Sequence, residues 1–471
     1  MEIRIPRLEE YGLSEKMGFL PDKEPLARLT KKYYEPWEKI MDHYNDYILM
    51  GRFRRVIDEL PILSVEYLDS LKEKQRSYLI LSFMAHSYVW IEKKPSDRLP
   101  ASIAKPWVQV SEILEIRPVI SYAAVCLWNW RHPFPNEPID LSNLTTLHTF
   151  SGTKDESWFY LISTFIEIEG APCLQIILDT ISAAYARDKN TYVYNMKRLS
   201  FYIEKITEIF CRIYEKCDPY IFYWKIRPYL SGWKNMADTG LPKGVIYEGC
   251  SEDYRQYSGG SNGQSALIHL LDIALGVDHR PTGILFYRTN ACNTPVQKKC
   301  NFFQEMREYM PGSHRRFLEH LEKIMNIRQF SLDNSNDLDV VSAYNACVTS
   351  LKTLRDKHLQ VVSRYIIIQS KIENFENKDY KKNSMNIGLA QHVNEKENLK
   401  GTGGTNLISF LKQFRDETTS CIIKSTIKPM SLLESSSNNR AIKMNLRNIF
   451  CLAEWNDNEW GCIGGLCYRF Y

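Results

Sequence analysis

The sequence predicts a mostly all-α protein with a large helical domain and a smaller N-terminal domain of helical or mixed structure. Apolar residues recur at intervals of three and four along much of the chain, which is the spacing of one helix face. Alternating strand patterns are few, and strands and helices do not alternate as in a doubly wound sheet. The chain has 471 residues, more than the roughly 250–300 that one hydrophobic core usually holds. We therefore expect two domains.

The composition is that of an ordinary globular protein. Hydrophobic residues make up 44% of the chain and charged residues 25%, which excludes a disordered chain, a collagen-like chain and a bundle of membrane helices. The 60 Lys and Arg against 56 Asp and Glu leave a net charge of +4, and basic clusters such as Lys31-Lys32 and Lys381-Lys382 are small. We expect no nucleic-acid partner, because such proteins usually concentrate basic residues on one face.

The sequence also indicates a cytoplasmic protein. Residues 1–10 carry charges of both signs and no apolar core, so we expect no secretory or transit signal. The longest charge-free apolar stretch, Ser77 to Ile91, is shorter than the about 20 residues of a membrane span, which predicts a buried helix and no membrane partner. The twelve cysteines form no Cys-x-x-Cys pair, which argues against a zinc ribbon and fits a reducing compartment.

The N-terminal domain is predicted to cover residues 1–140. Because proline ends or kinks a helix, we expect short elements and long connections where prolines are frequent. These prolines are Pro100, Pro106, Pro118, Pro133, Pro135 and Pro138. The stretch His132 to Asn143 is typical of a linker between two domains.

The large domain is predicted to span residues 141–417 and to be all-helical. Its predicted helices are Trp158–Ala186, interrupted near Gly170–Pro172, a helix with Leu199, Ile203, Ile206, Phe210 and Ile213 on one face, Leu267–Leu275, and Val340–Ile368. Residues 371–400 are polar without an apolar period, which predicts a mobile loop within this domain. Residues 418–471 match no motif and form an unassigned C-terminal extension.

His358 lies on the apolar face of the predicted helix Val340–Ile368. A buried imidazole must be hydrogen-bonded or bound to something, because an unpaired ring nitrogen costs about 1–3 kcal/mol. One interpretation is a core histidine satisfied by a nearby carbonyl, which is favoured when the sequence is considered alone. The other is an axial ligand of haem iron, which needs a rigid helix and an apolar wall for the porphyrin.

Two further segments carry residue types suited to a ligand. In Ile221–Pro228 one guanidinium, that of Arg227, stands among aromatic and branched side chains, which suits an aromatic ligand with a carboxylate. An ordinary helix end with a snorkelling arginine is the alternative. The turn Gly259–Ser265 could let backbone approach a flat cofactor. It lacks the pattern of a phosphate-binding loop or a dinucleotide fingerprint, and alone it predicts only a turn before a helix.

Taken together, these segments resemble the indoleamine 2,3-dioxygenases, haem enzymes that open the indole ring of tryptophan. The resemblance covers about residues 10–417 and rests on six strings in the same order. They are Arg227–Trp233, Tyr247–Gly249, Gly259–Ser265, Phe303–Met310 running on to His314–Leu318, Leu354–Leu359 and Gly401–Thr405.

The resemblance implies one haem b, ferrous in the active form, inside the large domain. His358 would be the proximal iron ligand, while Arg355 and Asp272 would belong to the proximal hydrogen-bond and propionate network. The residues implied to line the haem pocket and its distal side are Gly260, Ser261, Asn262, Tyr122, Val125, Phe159 and Ser163. The N-terminal domain would cover the distal pocket.

The resemblance also implies the substrate contacts. Arg227 would hold the carboxylate of L-tryptophan, and Phe222 and Tyr223 would pack on the indole, although the family usually has phenylalanine in place of Tyr223. Thr402 would close over the amino group, with residues 371–400 as the flexible arm of a lid. Ser163 stands where the tryptophan 2,3-dioxygenases use a histidine, so no side-chain base is expected at the indole nitrogen.

The activity implied is cleavage of the indole C2–C3 bond of L-tryptophan by O2 to give N-formylkynurenine, feeding tryptophan catabolism by the kynurenine pathway or NAD biosynthesis. An electron donor would reduce ferric haem, and we expect a monomer. Two alternatives stay open on the sequence: a family member that binds haem but turns over slowly, and a haem sensor or interaction protein of the same fold.

Overall fold

Helices dominate the computed structural model, which describes residues 4–280, 302–372, 388–390, 399–404 and 406–424. The prediction of a mostly all-α protein is thereby confirmed. The described residues all belong to one compact unit, and the domain boundary expected at residue 140 stays a prediction. Residues 373–387 and 391–398 of the expected mobile loop, and residues 425–471 of the expected extension, lie outside the described residues.

The described elements are helices of 3 to 25 residues and a few strands of two or three residues. In chain order the α-helices are α1 (Glu35–Asp42), α2 (Tyr44–Leu49), α3 (Phe53–Asp58), α4 (Leu71–Trp90), α5 (Ala101–Ile113), α6 (Lys154–Gly170), α7 (Pro172–Ala186), α8 (Lys189–Cys211), α9 (Ile213–Lys216), α10 (Pro219–Ile221), α11 (Arg227–Leu230), α12 (Ala266–Leu275), α13 (Phe302–Met306), α14 (Gly312–Ile324), α15 (Ile327–Asp333), α16 (Leu338–Val362) and α17 (Leu407–Thr419). The strands are β1 (Arg98–Leu99), β2 (Trp130–Arg131), β3 (Thr145–Thr146), β4 (Val245–Tyr247) and β5 (Tyr254–Arg255).

The strands form two small sheets. β1 pairs parallel with β4, which pairs antiparallel with β5, while β2 and β3 form an antiparallel pair. The first sheet therefore joins backbone from the predicted N-terminal domain to backbone of the predicted large domain. The predicted linker, His132 to Asn143, lies in the connection between β2 and β3.

Helix α8 lies at the centre of the helical core, against α16, α7 and α6. Its residues Leu199, Ile203 and Ile206 are fully buried, as their spacing predicts. The predicted face continues to Ile213, but α8 ends at Cys211 and Ile213 begins the separate helix α9. The N-terminus of α8 is capped by Asp188, which accepts a hydrogen bond from the amide of Thr191 at 3.1 Å.

The predicted break in the segment Trp158–Ala186 is confirmed, since α6 ends at Gly170 and α7 begins at Pro172. Proline is tolerated there because the first residues of a helix need no backbone donor. The run Lys154–Ala186 is long and apolar enough to cross a membrane by length and composition alone, but 78% of its most apolar window is buried inside the protein. It is packed as a core element.

Three single π-helical turns occur in the part of the chain that the structure describes. They are Ala123–Leu127, Phe222–Ile226 and Ser363–Ile367. A π-turn is rare and occurs frequently at functional sites. All three contribute side chains to one internal cavity, among them Val125, Phe222 and Tyr365. The hydrophobic pattern alone does not reveal these turns.

Candidate functional site

A large cavity lies between α6, α8, α16, α17 and the turn before α12. The volume of the cavity is about 260 Å³, whereas a cavity that holds one water needs only about 10–15 Å³. Twelve of the fourteen predicted site residues line it: Tyr122, Val125, Phe159, Ser163, Phe222, Arg227, Gly260, Ser261, Asn262, Arg355, His358 and Thr402. Tyr223 and Asp272 do not line it, and each instead contacts an arginine that does.

The imidazole of His358 projects from α16 into this cavity. Its ring packs edge-on against Phe210, with 5.8 Å between the centroids. Neither ring nitrogen has a hydrogen-bond partner among the described residues, so the interpretation as a core histidine satisfied by a carbonyl is not supported. Burial, and then the nearby charge of Arg355, lowers the pKa of His358 to about 4. The ring is therefore neutral at physiological pH, which is the form that binds a metal.

The surroundings of His358 suit a metal that brings most of its own ligands. No group of three or more His, Cys, Asp or Glu side chains that could hold an ion occurs in the part of the chain that the structure describes. Apolar side chains such as Ile206, Leu354 and Val361 line the cavity around the imidazole. An imidazole between apolar walls is one of the arrangements by which proteins hold a haem iron, and His358 would be the residue that holds it here. The residues present therefore fit a haem.

Arg355 and Asp272 form a buried pair next to His358. Nη2 of Arg355 donates to both carboxylate oxygens of Asp272, at 2.6 and 2.7 Å. Burial alone would raise the pKa of Asp272, but the charges of Arg355 and His279 outweigh it and hold that pKa below its usual value. Nη1 of Arg355 donates to the hydroxyl of Thr418. The guanidinium thus has protein partners on both terminal nitrogens.

His279 extends this pair into a network that the sequence does not predict. Its ring nitrogens bond to Asp272 at 3.2 Å and to Glu417 at 2.7 Å. Although burial opposes it, the carboxylate of Asp272 and the bond to Glu417 raise the pKa of His279. The ring also stacks on Phe414, with 3.9 Å between centroids. The network therefore ties α17 to α12, and through Arg355 to α16. His279 lies outside the six recognised strings, so no motif marks it.

Arg227 is buried, with 1% of its surface exposed, so the interpretation as a snorkelling arginine is wrong. Nη1 donates to the carbonyl of Leu389 at 2.7 Å and Nη2 to the carbonyl of Lys400. Nε is buried without a partner among the described residues. Burial lowers the pKa of Arg227 to about 10, which leaves it charged. The ring of Tyr223 lies 5.2 Å below the guanidinium and supports it from outside the cavity.

No carboxylate of the described residues hydrogen-bonds to Arg227. A buried charge that meets only neutral carbonyls is poorly compensated, and an anionic ligand would complete it. Arg227 lines the same cavity as His358. The cavity can therefore take a ligand that carries a carboxylate.

The segment around Thr402 is joined to the glycine-rich turn by backbone hydrogen bonds. The hydroxyl of Thr402 donates to the carbonyl of Gly260 at 2.7 Å, and its own carbonyl accepts from Gly232 at 3.2 Å and Gly259 at 3.1 Å. A Cβ on Gly259 would lie 2.1 Å from the carbonyl oxygen of Leu230, whereas Gly260 has nothing within 3.8 Å. Close approach to other backbone, rather than to a cofactor, therefore requires glycine at Gly259.

The opposite wall is aromatic and aliphatic. The rings of Phe159 and Phe222 lie 4.8 Å apart, and Val125 and Ser163 line the cavity with them. Among the described lining residues there is no carboxylate and no histidine besides His358. The wall can hold a flat apolar group but provides no strong base.

The model of the protein family described as "Indoleamine 2,3-dioxygenase" matches residues 7–421. The chain belongs to the indoleamine 2,3-dioxygenase family. The match contains every predicted site residue and ends just beyond α17, so α17 belongs to the family domain. The recognition made from six short strings is confirmed, and the chain belongs to a family of dioxygenases, a class of oxidoreductase.

Similar proteins support the same assignment. The "Indoleamine 2,3-dioxygenase" of Saccharomyces cerevisiae is 39% identical over 435 residues, which covers 88% of this chain and 93% of that protein. The human "Indoleamine 2,3-dioxygenase 2" is 32% identical over 420 residues, covering 88% and 95%. A "6-hydroxytryptophan 2,3-dioxygenase fscD" from Fusarium equiseti is 34% identical over 421 residues, covering 88% and 98%. Members of this family therefore differ in the indole that their names specify.

Proposed function

We propose that the protein binds haem b through His358 and cleaves the indole C2–C3 bond of L-tryptophan with O2 to give N-formylkynurenine. The observation that carries the proposal is one cavity lined by both a neutral imidazole and a buried guanidinium. Among the described residues, the imidazole has no hydrogen-bond partner and the guanidinium has no carboxylate partner. When bound, haem would supply the iron at which dioxygen reacts. The chain supplies binding, orientation and a dry environment.

Different residues of the site would bind the substrate, orient it and exclude water. Arg227 would bind the α-carboxylate of tryptophan and so fix the amino acid relative to the iron. Phe222 and Phe159 would pack on the indole ring. Thr402, held on the carbonyl of Gly260, would close the site on the side of the amino group and exclude water.

The lining also indicates what the protein does not contribute. Ser163 is the hydroxyl residue of α6 that faces the cavity, and a serine is too weak a base to remove the indole proton. No carboxylate lies in the described lining. The proposed reaction therefore proceeds without a side-chain base at the indole nitrogen.

The supply of electrons, the oligomeric state and the location complete the proposal. We expect an external electron donor to reduce ferric haem, a monomer in solution and a cytoplasmic protein that serves tryptophan catabolism or NAD synthesis. These expectations rest on the sequence and on the family.

The test is turnover by purified, haem-loaded protein given ascorbate, methylene blue and L-tryptophan. We expect N-formylkynurenine as the product, detected by its absorbance and mass. Parallel assays with 6-hydroxytryptophan will show which indole the site prefers, since one relative carries that name. Haem-loaded protein that forms no product from either substrate would contradict the proposal and favour a haem sensor.

A further inference from the structure

A buried carboxyl lies directly behind the cavity wall. Glu167 follows Ser163 by one turn of α6 and is 1% exposed. Its Oε1 accepts two hydrogen bonds, from the hydroxyl of Tyr122 at 2.9 Å and from the hydroxyl of Ser265 at 2.6 Å. Both of these hydroxyl residues line the cavity. Its Oε2 is buried and has no partner among the described residues.

A second buried glutamate of the same helix shows what is unusual here. Glu156 is fully buried, and its two oxygens accept four hydrogen bonds at 2.6 to 2.8 Å. These come from the amides of Phe150 and Ser151 and from the hydroxyls of Ser151 and Tyr160. Burial raises the pKa of Glu156 above its ordinary value, and these four hydrogen bonds oppose that rise because they favour the charged form. Glu167 has no donor on Oε2, and a buried ionised oxygen without a donor is costly.

The proton of Glu167 therefore belongs on Oε2. Burial raises the pKa of Glu167 to about 7, against the hydrogen bonds from Ser265 and Tyr122. The titratable groups beside it are Tyr122 and the thiol of Cys126, whose pKa values burial and the charge of Glu167 raise. No cation of the described residues pairs with Glu167. It would gain or lose its proton while its neighbours stay neutral.

The two hydroxyls transmit this state to the cavity. Each hydroxyl has one hydrogen. Ser265 donates it to Glu167, and Tyr122 donates to Glu167 at 2.9 Å, with the backbone carbonyl of Ser163 as a more distant acceptor at 3.4 Å. They can therefore present only lone pairs to the cavity. Loss of the proton from Glu167 would strengthen both bonds and place a negative charge behind the wall.

We propose that Glu167 is a positioning residue of the site that orients the hydroxyls of Tyr122 and Ser265 and whose protonation changes the polarity of the cavity. The effect on bound haem and tryptophan rests on the function proposed above. The protonation of Glu167 and its link to Tyr122 do not, so they can be tested separately.

The first experiment is an infrared pH titration of the purified full-length protein. We expect a protonated-carboxyl band that disappears with a midpoint near pH 7 and is missing in Glu167→Gln. The matched control is Glu169→Gln, two residues further along α6, where the carboxylate pairs with Lys205. It should retain the band. A titrating band that survives Glu167→Gln would overturn the proposal.

The second experiment tests the link to the wall. Tyr122→Phe removes one donor to Oε1 and should move the midpoint of the Glu167 band to higher pH, because the carboxylate loses a hydrogen bond. An unchanged midpoint and band would refute the positioning role. This measurement needs no haem.

The third experiment reads the cavity itself. In the ferrous carbon monoxide complex we expect the C–O stretching frequency to shift between pH 6 and pH 8 in the parent protein and in Glu169→Gln, but not in Glu167→Gln. A C–O stretching frequency that is independent of pH in all three proteins would show that the protonation of Glu167 does not change the polarity of the cavity. Protein that takes up no haem would refute the proposed function, while the proposal for Glu167 would be decided by the two infrared measurements.

Discussion

His358 and Arg227 line one cavity but differ in protonation: the imidazole is neutral and the guanidinium is charged. Burial removes the proton from the imidazole, whose pKa falls to about 4, but leaves the guanidinium charged, because its pKa falls only to about 10. The neutral ring can donate a lone pair to a metal, and the charged fork can bind an acid. Two residues with these different requirements thus define both ends of the proposed site.

The first prediction concerns the metal ligand. His358→Ala should abolish the Soret band of the purified protein, because the described lining offers no other imidazole. The measurement is the absorbance spectrum after haem loading. His43→Ala, at a histidine whose side chain is 60% exposed, should leave the band unchanged. A normal haem spectrum in His358→Ala would refute the ligand assignment.

The second prediction concerns the carboxylate contact. Arg227→Ala should raise the KM for tryptophan about 10- to 100-fold, since a hydrogen bond to a charged group contributes about 1.5–3 kcal/mol. The haem spectrum should persist. Arg227→Lys should recover only part of the loss, because lysine lacks the planar fork. An unchanged KM in Arg227→Ala would remove this residue from the substrate site.

The third prediction is the pH dependence of stability caused by Glu167. The folded protein holds this proton up to about pH 7, whereas the ordinary pKa is 4.5. Its contribution is therefore fully present below pH 4.5 and is lost as the pH rises to 7, by about 3 kcal/mol. Urea unfolding should show Glu167→Gln gaining stability relative to the parent over this interval, whereas Glu169→Gln should show no such gain.

Sequence reasoning found the cavity residues that lie in recognisable strings, such as His358, Arg227 and Thr402. It missed Glu167 and His279, because their significance depends on partners far away in the chain. Glu167 meets a hydroxyl 98 residues later, and His279 meets a carboxylate 138 residues later. Within its own helix, a glutamate such as Glu167 only interrupts an apolar pattern.

At the scale of elements, α17 forms part of the wall of the cavity that His358 lines. It is tied to α12 and α16 by charged contacts rather than by apolar packing alone, through Glu417 and Thr418. The three π-turns place side chains from separate helices at the same cavity. Periodicity predicts the helices but not these turns, because a π-turn depends on tertiary contacts.

The fourth prediction tests the attachment of α17. Glu417→Gln removes one carboxylate from His279 and leaves a buried, less compensated charge, which typically costs about 3–5 kcal/mol. We expect a lower urea midpoint and faster loss of haem to apomyoglobin. Asp416→Gln, at the exposed neighbour on the same helix, serves as the matched control. Equal stability of the two variants would show that the network does not hold α17.

At the scale of the whole molecule, the fold class could be predicted because helical periodicity is a local property. The division into domains is harder to predict from the sequence. The predicted boundary near residue 140 is crossed by the pairing of β1 with β4, and by the hydrogen bond from the indole of Trp90 to the carbonyl of Ser231 at 3.0 Å. Such contacts between distant segments leave no local signal.

The fifth prediction concerns the C-terminal residues. The described residues continue beyond α17 to Lys424, and the backbone of Ile423 forms two hydrogen bonds of 2.9 Å with the side chain of Asn345 on α16. A protein ending at residue 424 should therefore keep its haem and its turnover. A protein ending at residue 405 should lose both with α17. If the protein ending at residue 424 keeps its haem but loses turnover, residues 425–471 have a function in turnover.

The contacts of Arg227 with the carbonyls of Leu389 and Lys400 have a thermodynamic consequence. A carboxylate that enters the cavity must share Nη1 and Nη2 of Arg227 with these two backbone carbonyls or displace them. The carbonyls therefore compete with the ligand for the same donors. Measured affinity is then a difference between two associations. A substitution that weakens the hold of those carbonyls should tighten binding of the amino acid without touching it.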